Sequence, residues 1–305
     1  MIRAVLVVLV MQIGVSFFIL TERKGLGIFQ LRQGPNKARF KALGQPVADG
    51  VKLFIKQLRF PFRARLAGYL LGPALLFFLA CLSWLAFPSV EGRVRLEWGM
   101  LYVLCVSRLH VFGVFICGYR CDSRYGILGA IRGVAQAISY EVVIRGVAFC
   151  PLMLVGRFDL AECRQREIIN AIAAFEALVV WVIVMLAETN RTPFDFVEGE
   201  SELVAGYSVE YGGGAFAIIA LAEYGSIFFM RVLSSVLFFR GLGLAGGAYI
   251  FSNLWYRFIA VCFCFFFIVV RGGLPRFRYD LLMSFCWLCL LPLTLGFMAF
   301  YACIG

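Results

Sequence analysis

Residues 187–210, AETNRTPFDFVEGESELVAGYSVE, carry the side chains with the clearest capacity for proton chemistry. The stretch lies between two apolar runs, each long enough to cross a bilayer. Carboxylates at the mouth of membrane helices are costly to maintain, so the cluster indicates a proton or cation function. It holds six of the 18 acidic residues of a chain whose net charge is +11, namely Glu188, Asp195, Glu198, Glu200, Glu202 and Glu210.

Close spacing of like charges affects the chemistry available to this cluster. Glu198 and Glu202 share a face on a helix, and in an extended chain Glu200 shares a face with both. Repulsion between neighbouring carboxylates raises carboxyl pKa values toward neutrality, where a proton is taken up and released readily. The alternative is an ordinary acidic loop paired with the cations of residues 22–66. The run Thr192-Pro193-Phe194-Asp195 predicts the start of a helix, with Thr192 as its N-cap.

The composition indicates the environment of these residues. The chain is 62% hydrophobic with a mean hydropathy of +0.88, and 15% of its residues are charged, against about 25% in soluble domains. We therefore predict a single membrane domain over residues 1–305, all-α, with about eight transmembrane helices. The predicted spans are 2–20, 67–87, 99–118, 134–155, 168–187, 212–230, 254–270 and 281–303, each near the ~20 residues needed.

Loop charges predict the orientation. Residues 22–66 hold eleven Lys or Arg side chains against two acids, and the predicted loop 119–133 is also net positive. Positive loops favour the matrix or cytoplasmic side, and by alternation the acidic loop 188–211 shares it. Within the basic loop 21–66, apolar residues recur at helical spacing from Pro46 to Leu58, which predicts an amphipathic helix along the interface.

Charged side chains inside the predicted spans are candidates for function. Glu141 and Arg145 are four residues apart in the order that favours a same-face pair. They either neutralise one another or serve a polar pathway, and the sequence alone leaves both open. Glu223 is a further acid within a span. Asp49 is one of two acids among many cations, so we expect it in an ion pair.

The sequence predicts no redox cofactor or metal site within the chain. The cysteines are scattered through apolar runs, and the single histidine, His110, excludes bis-histidine haem ligation. The run Gly241-x-Gly243-x-x-Gly246 matches a dinucleotide fingerprint, but it follows a membrane helix rather than a strand.

Seven segments occur in an order shared with a known family: ERK (22–24), LRQGPNK (31–37), GQPVADGVKLFIK (44–56), GAIRGVAQAISYEV (129–142), AETNRTPFDFVEGESELVAGYSVEY (187–211), AEY (222–224) and PRFRYD (275–280). With them the chain resembles the membrane-arm subunit 1 family of proton-pumping NADH:ubiquinone oxidoreductase, respiratory complex I. The resemblance runs from about residue 20 to about residue 295. It departs from the family at Gln57, where members have an acid, and at Arg145, where they have a small or apolar residue.

The resemblance implies roles for particular residues. It assigns one set of side chains to a quinone-access chamber. It assigns another set to a proton path that couples quinone reduction to proton translocation. The chamber set is Glu22, Arg23, Asp49, Arg191 and Asp195; the proton-path set is Glu141, Glu188, Glu198, Glu200, Glu202 and Glu223; chamber or subunit contacts are Arg132, Arg276 and Arg278.

The same resemblance implies the partners. Ubiquinone would be the substrate, whereas FMN, NADH and Fe–S clusters would be bound by partner subunits, so this chain alone would hold no complete active site. Its partners would be quinone-module subunits of the peripheral arm, neighbouring membrane-arm subunits and lipid, with no nucleic acid. The location would be the mitochondrial inner membrane, or a bacterial plasma membrane. Two alternatives are the equivalent subunit of a membrane-bound hydrogenase-type complex and a stand-alone proton or cation transporter.

Overall fold

The computed structural model describes residues 2–37, 42–58, 61, 66–87, 96–160, 173–197, 206–239 and 249–304, and the regular structure within these ranges is helical. The helices are α1 (Ile2–Phe29), α2 (Gln45–Ile55), α3 (Leu66–Leu85), α4 (Gly99–Arg120), α5 (Arg124–Val155), α6 (Phe175–Glu188), α7 (Gly213–Phe238), α8 (Tyr249–Gly273), α9 (Tyr279–Phe285) and α10 (Leu291–Ile304). A 3₁₀ turn covers Gly206–Ser208, and a π-helical segment, Cys286–Leu290, joins α9 to α10.

Six stretches of the described chain are long and apolar enough to cross a membrane, which confirms an all-α integral membrane protein. The number eight remains a prediction. Helix α6 covers part of the fifth predicted span, whose first residues lie outside the described ranges, and α8 covers the seventh without being among the six. The six are Val5–Phe29, Ala67–Leu85, Gly99–Arg120, Arg124–Val155, Gly213–Phe238 and Tyr279–Cys303.

Several helices extend beyond the predicted spans, and in α1 and α5 the extension includes residues that were predicted to lie in loops. Helix α1 continues to Phe29, so Glu22 and Arg23 lie on a helix rather than in a loop. Helix α5 begins at Arg124, and the prediction of a loop over 119–133 is therefore wrong for most of its length. The cause is local, because the Ser123 hydroxyl accepts a hydrogen bond from the Gly126 amide at 3.1 Å and caps the helix.

The amphipathic helix is confirmed as α2, which has a proline in its first turn and contains no buried residue. It packs against α1 and α7. The contact with α7 is close at Gly213, whose φ is +58° and where a Cβ atom would lie 2.9 Å from the Lys56 carbonyl oxygen. Glycine is therefore the residue type that this approach of α2 to α7 accommodates without strain.

Helix α5 lies at the centre of the packing, in contact with α4, α6 and α10. Helix α7 contacts α1, α3 and α8, so both halves of the chain contribute to the larger apolar core. A second buried apolar cluster includes residues of α3, α4 and α7. Between α6 and α7, the indole N–H of Trp181 donates to the Ser234 hydroxyl at 2.8 Å. Both side chains are fully buried, and the hydrogen bond satisfies polar atoms that would otherwise be costly there.

The predicted helix start at Thr192 is wrong. Residues 189–197 form turns and bends, and the Thr192 hydroxyl has no hydrogen-bond partner in the described chain. The reason lies on α5, where Gln136 donates from Nε2 to the carbonyl oxygens of Ala187 and Phe194, both at 2.9 Å. Side-chain hydrogen bonds therefore hold the two ends of this segment where a helical ladder was expected.

Candidate functional site

The most buried charge cluster surrounds Glu22, near the C-terminal end of α1. Its Oε1 atom lies 3.4 Å from Nη1 of Arg191 and accepts a hydrogen bond from Arg271, at the end of α8. Glu22 is 5% exposed, so the two guanidiniums replace the water that the carboxylate loses. The structure thus brings together two predicted chamber residues, Glu22 and Arg191, and adds Arg271.

Arg231 places a further cation beside this cluster. It lies within α7 and is 2% exposed, with its guanidinium carbon 3.9 Å from the ring centre of Phe18 and 4.1 Å from that of Phe267. Such contacts stabilise a cation through the electron-rich ring faces. Its Nε and Nη1 atoms have no hydrogen-bond partner in the described residues. Arg231 therefore relies on aromatic faces rather than on a direct ion pair with Glu22.

Arg23 and Asp49 form the predicted ion pair, with Nη1 of Arg23 2.6 Å from Oδ2 of Asp49. Gln45 donates to the other carboxylate oxygen at 2.8 Å. The expectation that Asp49 is paired is confirmed. The contact joins α1 to α2 at the edge of a large cavity between α1, α2 and α7.

That cavity has a volume of about 480 Å³. Its walls are mostly apolar, with side chains such as Ile13, Phe17 and Leu221, and its polar end carries Arg23 and Asp49. Volumes of several hundred cubic ångströms with few polar groups are typical of sites for small organic molecules. The arrangement suits an amphipathic ligand with a polar head and an apolar tail.

A second, smaller cavity of about 80 Å³ brings acids of the predicted proton path together. Glu188, at the end of α6, and Glu223, on α7, both line it, and so do His110 and Arg191. Glu223 accepts a hydrogen bond from the hydroxyl of Tyr207 in the 3₁₀ turn. Arg191 thus contacts Glu22 on one side and borders the two acids on the other.

Glu141 is 2% exposed and has two cationic partners. Its Oε1 atom lies 2.8 Å from Nη2 of Arg145, the predicted same-face pair, and 3.1 Å from Nε of Arg108 on α4. Pairing of Glu141 with Arg145 is therefore present, and Arg108 is an addition that the sequence did not predict. Both alternatives for Glu141, structural neutralisation and a polar pathway, remain compatible with this geometry.

The remaining predicted arginines lie near the start of α9. Nη2 of Arg276 is 3.8 Å from Oδ2 of the buried Asp195. Arg278 pairs with Asp280 at 3.1 Å on the exposed surface, and Arg132 lies over the ring of Tyr279 at 5.9 Å. Asp195 and Arg276 therefore contact each other. The contacts described for Arg132 and Arg278 are with Tyr279 and Asp280.

Three predicted acids fall outside the described residues: Glu198, Glu200 and Glu202. The run from Gly241 to Gly246 also lies outside them. Within the described ranges, no group of three or more His, Cys, Asp or Glu side chains is arranged to hold a metal ion.

Sequence reasoning missed four residues of this region. Arg231 had a usable signal, since it is one of two charged residues, with Glu223, inside a 26-residue apolar helix, where a charge is costly and needs a partner. Arg271 and Gln136 gave a weaker signal, because their partners are distant in sequence. The role of Tyr207 depends on a turn that brings it back onto α7. None of these contacts follows from helical spacing.

Comparison with known proteins finds relatives over nearly the whole chain. A family model for NADH dehydrogenase matches residues 2–302. The NADH-ubiquinone oxidoreductase chain 1 of Aedes aegypti is 42% identical over 303 residues, covering 99% of this chain and 94% of the relative. The protein of the same name from Mytilus edulis is 40% identical over 286 residues, with 93% and 90% coverage. That from Branchiostoma lanceolatum is 42% identical over 290 residues, with 93% and 89% coverage.

Proposed function

The chain belongs to the NADH dehydrogenase family as a chain 1 subunit of NADH-ubiquinone oxidoreductase, and from this premise we propose that it forms the quinone-access chamber of that enzyme together with the first part of the acidic path that couples quinone reduction to proton translocation. The observation that carries the proposal is the position of Arg191. This one side chain contacts Glu22 and lines the cavity that contains Glu188 and Glu223.

The 480 Å³ cavity supports the chamber half of the proposal. A quinone has a polar ring with two carbonyl oxygens and an apolar tail, and the cavity offers a polar end and long apolar walls. Arg23 can donate hydrogen bonds to a carbonyl oxygen, while Phe17, Leu221 and their neighbours exclude water from the tail. The chain would thus position the quinone and leave electron delivery to partner subunits.

The Glu22 cluster would stabilise charge that develops during reduction. Electrons reaching the quinone from a partner subunit add negative charge before protons arrive. Arg191 lies 4.3 Å from the ring centre of Tyr224, which lines the cavity, and a guanidinium fixed there would stabilise such charge without reorganising. Arg191, Arg231 and Arg271 together outnumber the single carboxylate of Glu22, so the region is electropositive. A transient anion is the species that such a field favours.

Arg191 would carry the effect to the acid path. A charge change in the chamber alters the electrostatic interactions of Arg191, which borders Glu188 and Glu223. Buried carboxyls respond strongly to nearby charge because the local dielectric constant is low. We propose that Glu188, Glu223 and Glu141 take up and release protons in sequence, with Glu198, Glu200 and Glu202 supplying the loop side.

The proposal extends to the assembly. We propose that FMN, NADH and the Fe–S clusters are bound by partner subunits. Asp195, Arg132, Arg276 and Arg278 would contribute to chamber or subunit contacts at the membrane surface. The animal relatives support the mitochondrial inner membrane as the location.

A cavity-filling variant tests the chamber. Ala217 lies on α7, is 6% exposed and lines the large cavity. We expect Ala217→Trp in the assembled complex to lower NADH:ubiquinone activity at least tenfold, while NADH oxidation by an artificial acceptor that bypasses the quinone continues. Leu9→Trp, an exposed α1 position outside the cavity, is the control. Equal quinone reduction in Ala217→Trp and wild type would refute the chamber.

The acid path needs a separate test, in which the rate of proton pumping and the rate of quinone reduction are each measured in the same vesicles. We expect Glu223→Gln and Glu202→Gln to lower pumping and quinone reduction together, because both are coupled through the same acids. Glu176→Gln, an exposed acid at the first turn of α6, is the matched control. Wild-type values in either path variant would remove that residue from the path.

A further inference from the structure

Two consecutive residues of α7 line different cavities. Glu223 borders the small cavity of about 80 Å³, whereas Tyr224 borders the large cavity of about 480 Å³. Successive residues of a helix point about 100° apart around its axis, so neighbours in the sequence can face different spaces. Helix α7 therefore forms part of the partition between the two cavities, and Tyr224 is a side chain on the large-cavity side of it.

The ring of Tyr224 contacts the guanidinium of Arg191, whose carbon lies 4.3 Å from the ring centre. The same arginine pairs with Glu22, with its Nη1 atom 3.4 Å from Oε1. A cation is attracted to the electron-rich face of an aromatic ring, and the attraction is stronger where water is excluded. The Arg191 side chain is 13% exposed, so water screens the contact only weakly. Glu22 and Tyr224 therefore both restrain the guanidinium.

A second ring supports Tyr224 from α1. The ring centres of Phe18 and Tyr224 are 6.1 Å apart, and the rings are tilted by 53°, which is typical of favourable aromatic pairs. Phe18 is 5% exposed, so this supporting ring is itself buried. The contacts thus join α1, α7 and the segment that follows α6 around one tyrosine ring.

Tyr224 connects Arg191 to the large cavity. In the described part of the chain, Arg191 lines the small cavity and is not among the side chains that line the large one. Tyr224 lines the large cavity and contacts Arg191. A charge that forms in the large cavity acts on a guanidinium held against this ring over a short distance of low dielectric constant. Without the ring, Arg191 would keep its pairing with Glu22 but lose the contact that holds it at this boundary.

We propose that Tyr224 is a positioning residue, whose ring holds Arg191 at the boundary between the two cavities. Charge that forms on a quinone in the large cavity then acts on Glu188 and Glu223 through this arginine. The inference rests on the proposed function and deepens it by naming the side chain that holds Arg191 in place. The ring rather than the hydroxyl is the functional group, because the guanidinium lies over the ring face.

Steady-state kinetics of quinone reduction by the assembled complex tests the ring. We expect Tyr224→Leu to lower kcat about fivefold, because Arg191 loses its aromatic contact. The KM for ubiquinone should stay close to that of wild type, because leucine keeps this wall apolar. Tyr224→Phe keeps the ring and should retain most of the wild-type kcat. Rates are expressed per assembled complex, counted by NADH oxidation with an artificial acceptor. Equal losses of kcat in the two variants would assign the effect to the hydroxyl and overturn the inference.

Tyr119→Leu is the matched control. Tyr119 also lies beside an arginine, with the guanidinium carbon of Arg120 5.9 Å from its ring centre. The ring is exposed at the end of α4, and Tyr119 is not among the side chains that line either cavity. We expect its kcat to match wild type. A loss as large as that of Tyr224→Leu would contradict a role that depends on the position between the cavities.

A double-mutant cycle tests whether Tyr224 acts through Arg191. Lysine keeps the positive charge at position 191 but lacks the planar guanidinium that packs on a ring. We expect Arg191→Lys to lower kcat several-fold in the wild-type chain. In a chain that already carries Tyr224→Leu, the same substitution should have a distinctly smaller effect, because the contact is already absent. Losses that simply multiply in the double variant would contradict the inference.

The structure of the intact complex, determined by electron cryo-microscopy, provides a test that needs no variant to assemble. We expect the Arg191 guanidinium over the Tyr224 ring, within about 6 Å of its centre. An arginine turned away from the ring would overturn the inference. A wild-type kcat in Tyr224→Leu would contradict only the role of Tyr224, whereas unchanged quinone reduction in Ala217→Trp would contradict the proposed function itself.

Discussion

Nη1 of Arg23 lies 2.6 Å from Oδ2 of Asp49, and this ion pair connects the membrane helix α1 to the interfacial helix α2. Both groups line the large cavity, so one contact joins α2 to α1 and contributes polar groups to that cavity. Half of the Arg23 side chain is exposed, and its contribution to overall stability is therefore small. The Arg23–Asp49 pair matters because it positions α2 against α1.

Asp49→Asn tests this positioning. We expect a higher KM for ubiquinone in quinone reduction, because the ion pair no longer holds α2 against α1. The free energy of unfolding should change by about 1 kcal/mol or less, as is usual for partly exposed pairs. Steady-state kinetics over a range of quinone concentrations measures the effect. Lys52→Gln, exposed on the same helix, should leave the KM unchanged.

Gln136→Leu tests the support of the segment from 187 to 194. Gln136 is fully buried and donates to two carbonyl oxygens. Leucine keeps the volume but removes both side-chain hydrogen bonds, while each carbonyl oxygen keeps a backbone donor, from Asn190 at 3.3 Å and from Phe196 at 3.2 Å. The expected cost is about 1–3 kcal/mol for the two lost hydrogen bonds. We expect a clear drop in the thermal stability of the complex, measured by the loss of quinone reductase activity on heating. The exposed Gln57→Leu is the control, and equal losses in the two variants would contradict the role of Gln136.

Arg271→Met and Arg231→Met should differ, although both remove an arginine near Glu22. Arg271 makes a hydrogen bond to the buried carboxylate, so its loss should destabilise by about 1.5–3 kcal/mol. Arg231 is held mainly between two aromatic rings, and methionine can occupy that space without the cost of burying a charge. We expect the smaller loss in Arg231→Met. Thermal inactivation of both variants measures the order, and the reverse order would contradict this account of the cluster.

Cys121 should resist alkylation in the folded protein. It lies in the turn between α4 and α5, and burial raises the pKa of its thiol to about 12. The thiolate is the reactive form, so at pH 8 its fraction falls about a thousandfold below that of a free cysteine. Labelling with iodoacetamide should accelerate as the pH is raised from 8 to about 10. Rapid labelling after denaturation is the control, and equally rapid labelling of the native protein at pH 8 would exclude the burial.

Contacts between residues that are close in the sequence could be predicted, whereas contacts between residues that are distant in the sequence could not. The helix α2 and the pair Glu141–Arg145 arise from neighbours four residues apart, and the sequence displays that spacing directly. The ion pair of Asp49 was predictable because one acid stood among many cations. The contact between Arg271 and Glu22 spans 249 residues and depends on how α1 and α8 pack. Helical spacing carries no information on such a pairing.

Local capping explains the boundary errors in the same way. Ten residues assigned to a loop before residue 134 are helical, because a single hydroxyl at Ser123 initiates α5 early. The charged side chains of Arg124 and Arg132 made that stretch look like a loop. They lie instead on a helix that extends beyond its apolar centre.

Helix α5 has 32 residues and is therefore about 48 Å long, which exceeds the hydrocarbon thickness by about 18 Å. Gln136, Glu141 and Arg145 are borne by one unbroken helix, and their separations along its axis are fixed. We expect a backbone rearrangement that follows quinone reduction in the non-helical residues 189–193, which lie between the two carbonyls held by Gln136. In hydrogen–deuterium exchange, we expect the amides of α5 to exchange slowly with and without turnover. We expect the exchange rate of residues 189–193 to change during turnover.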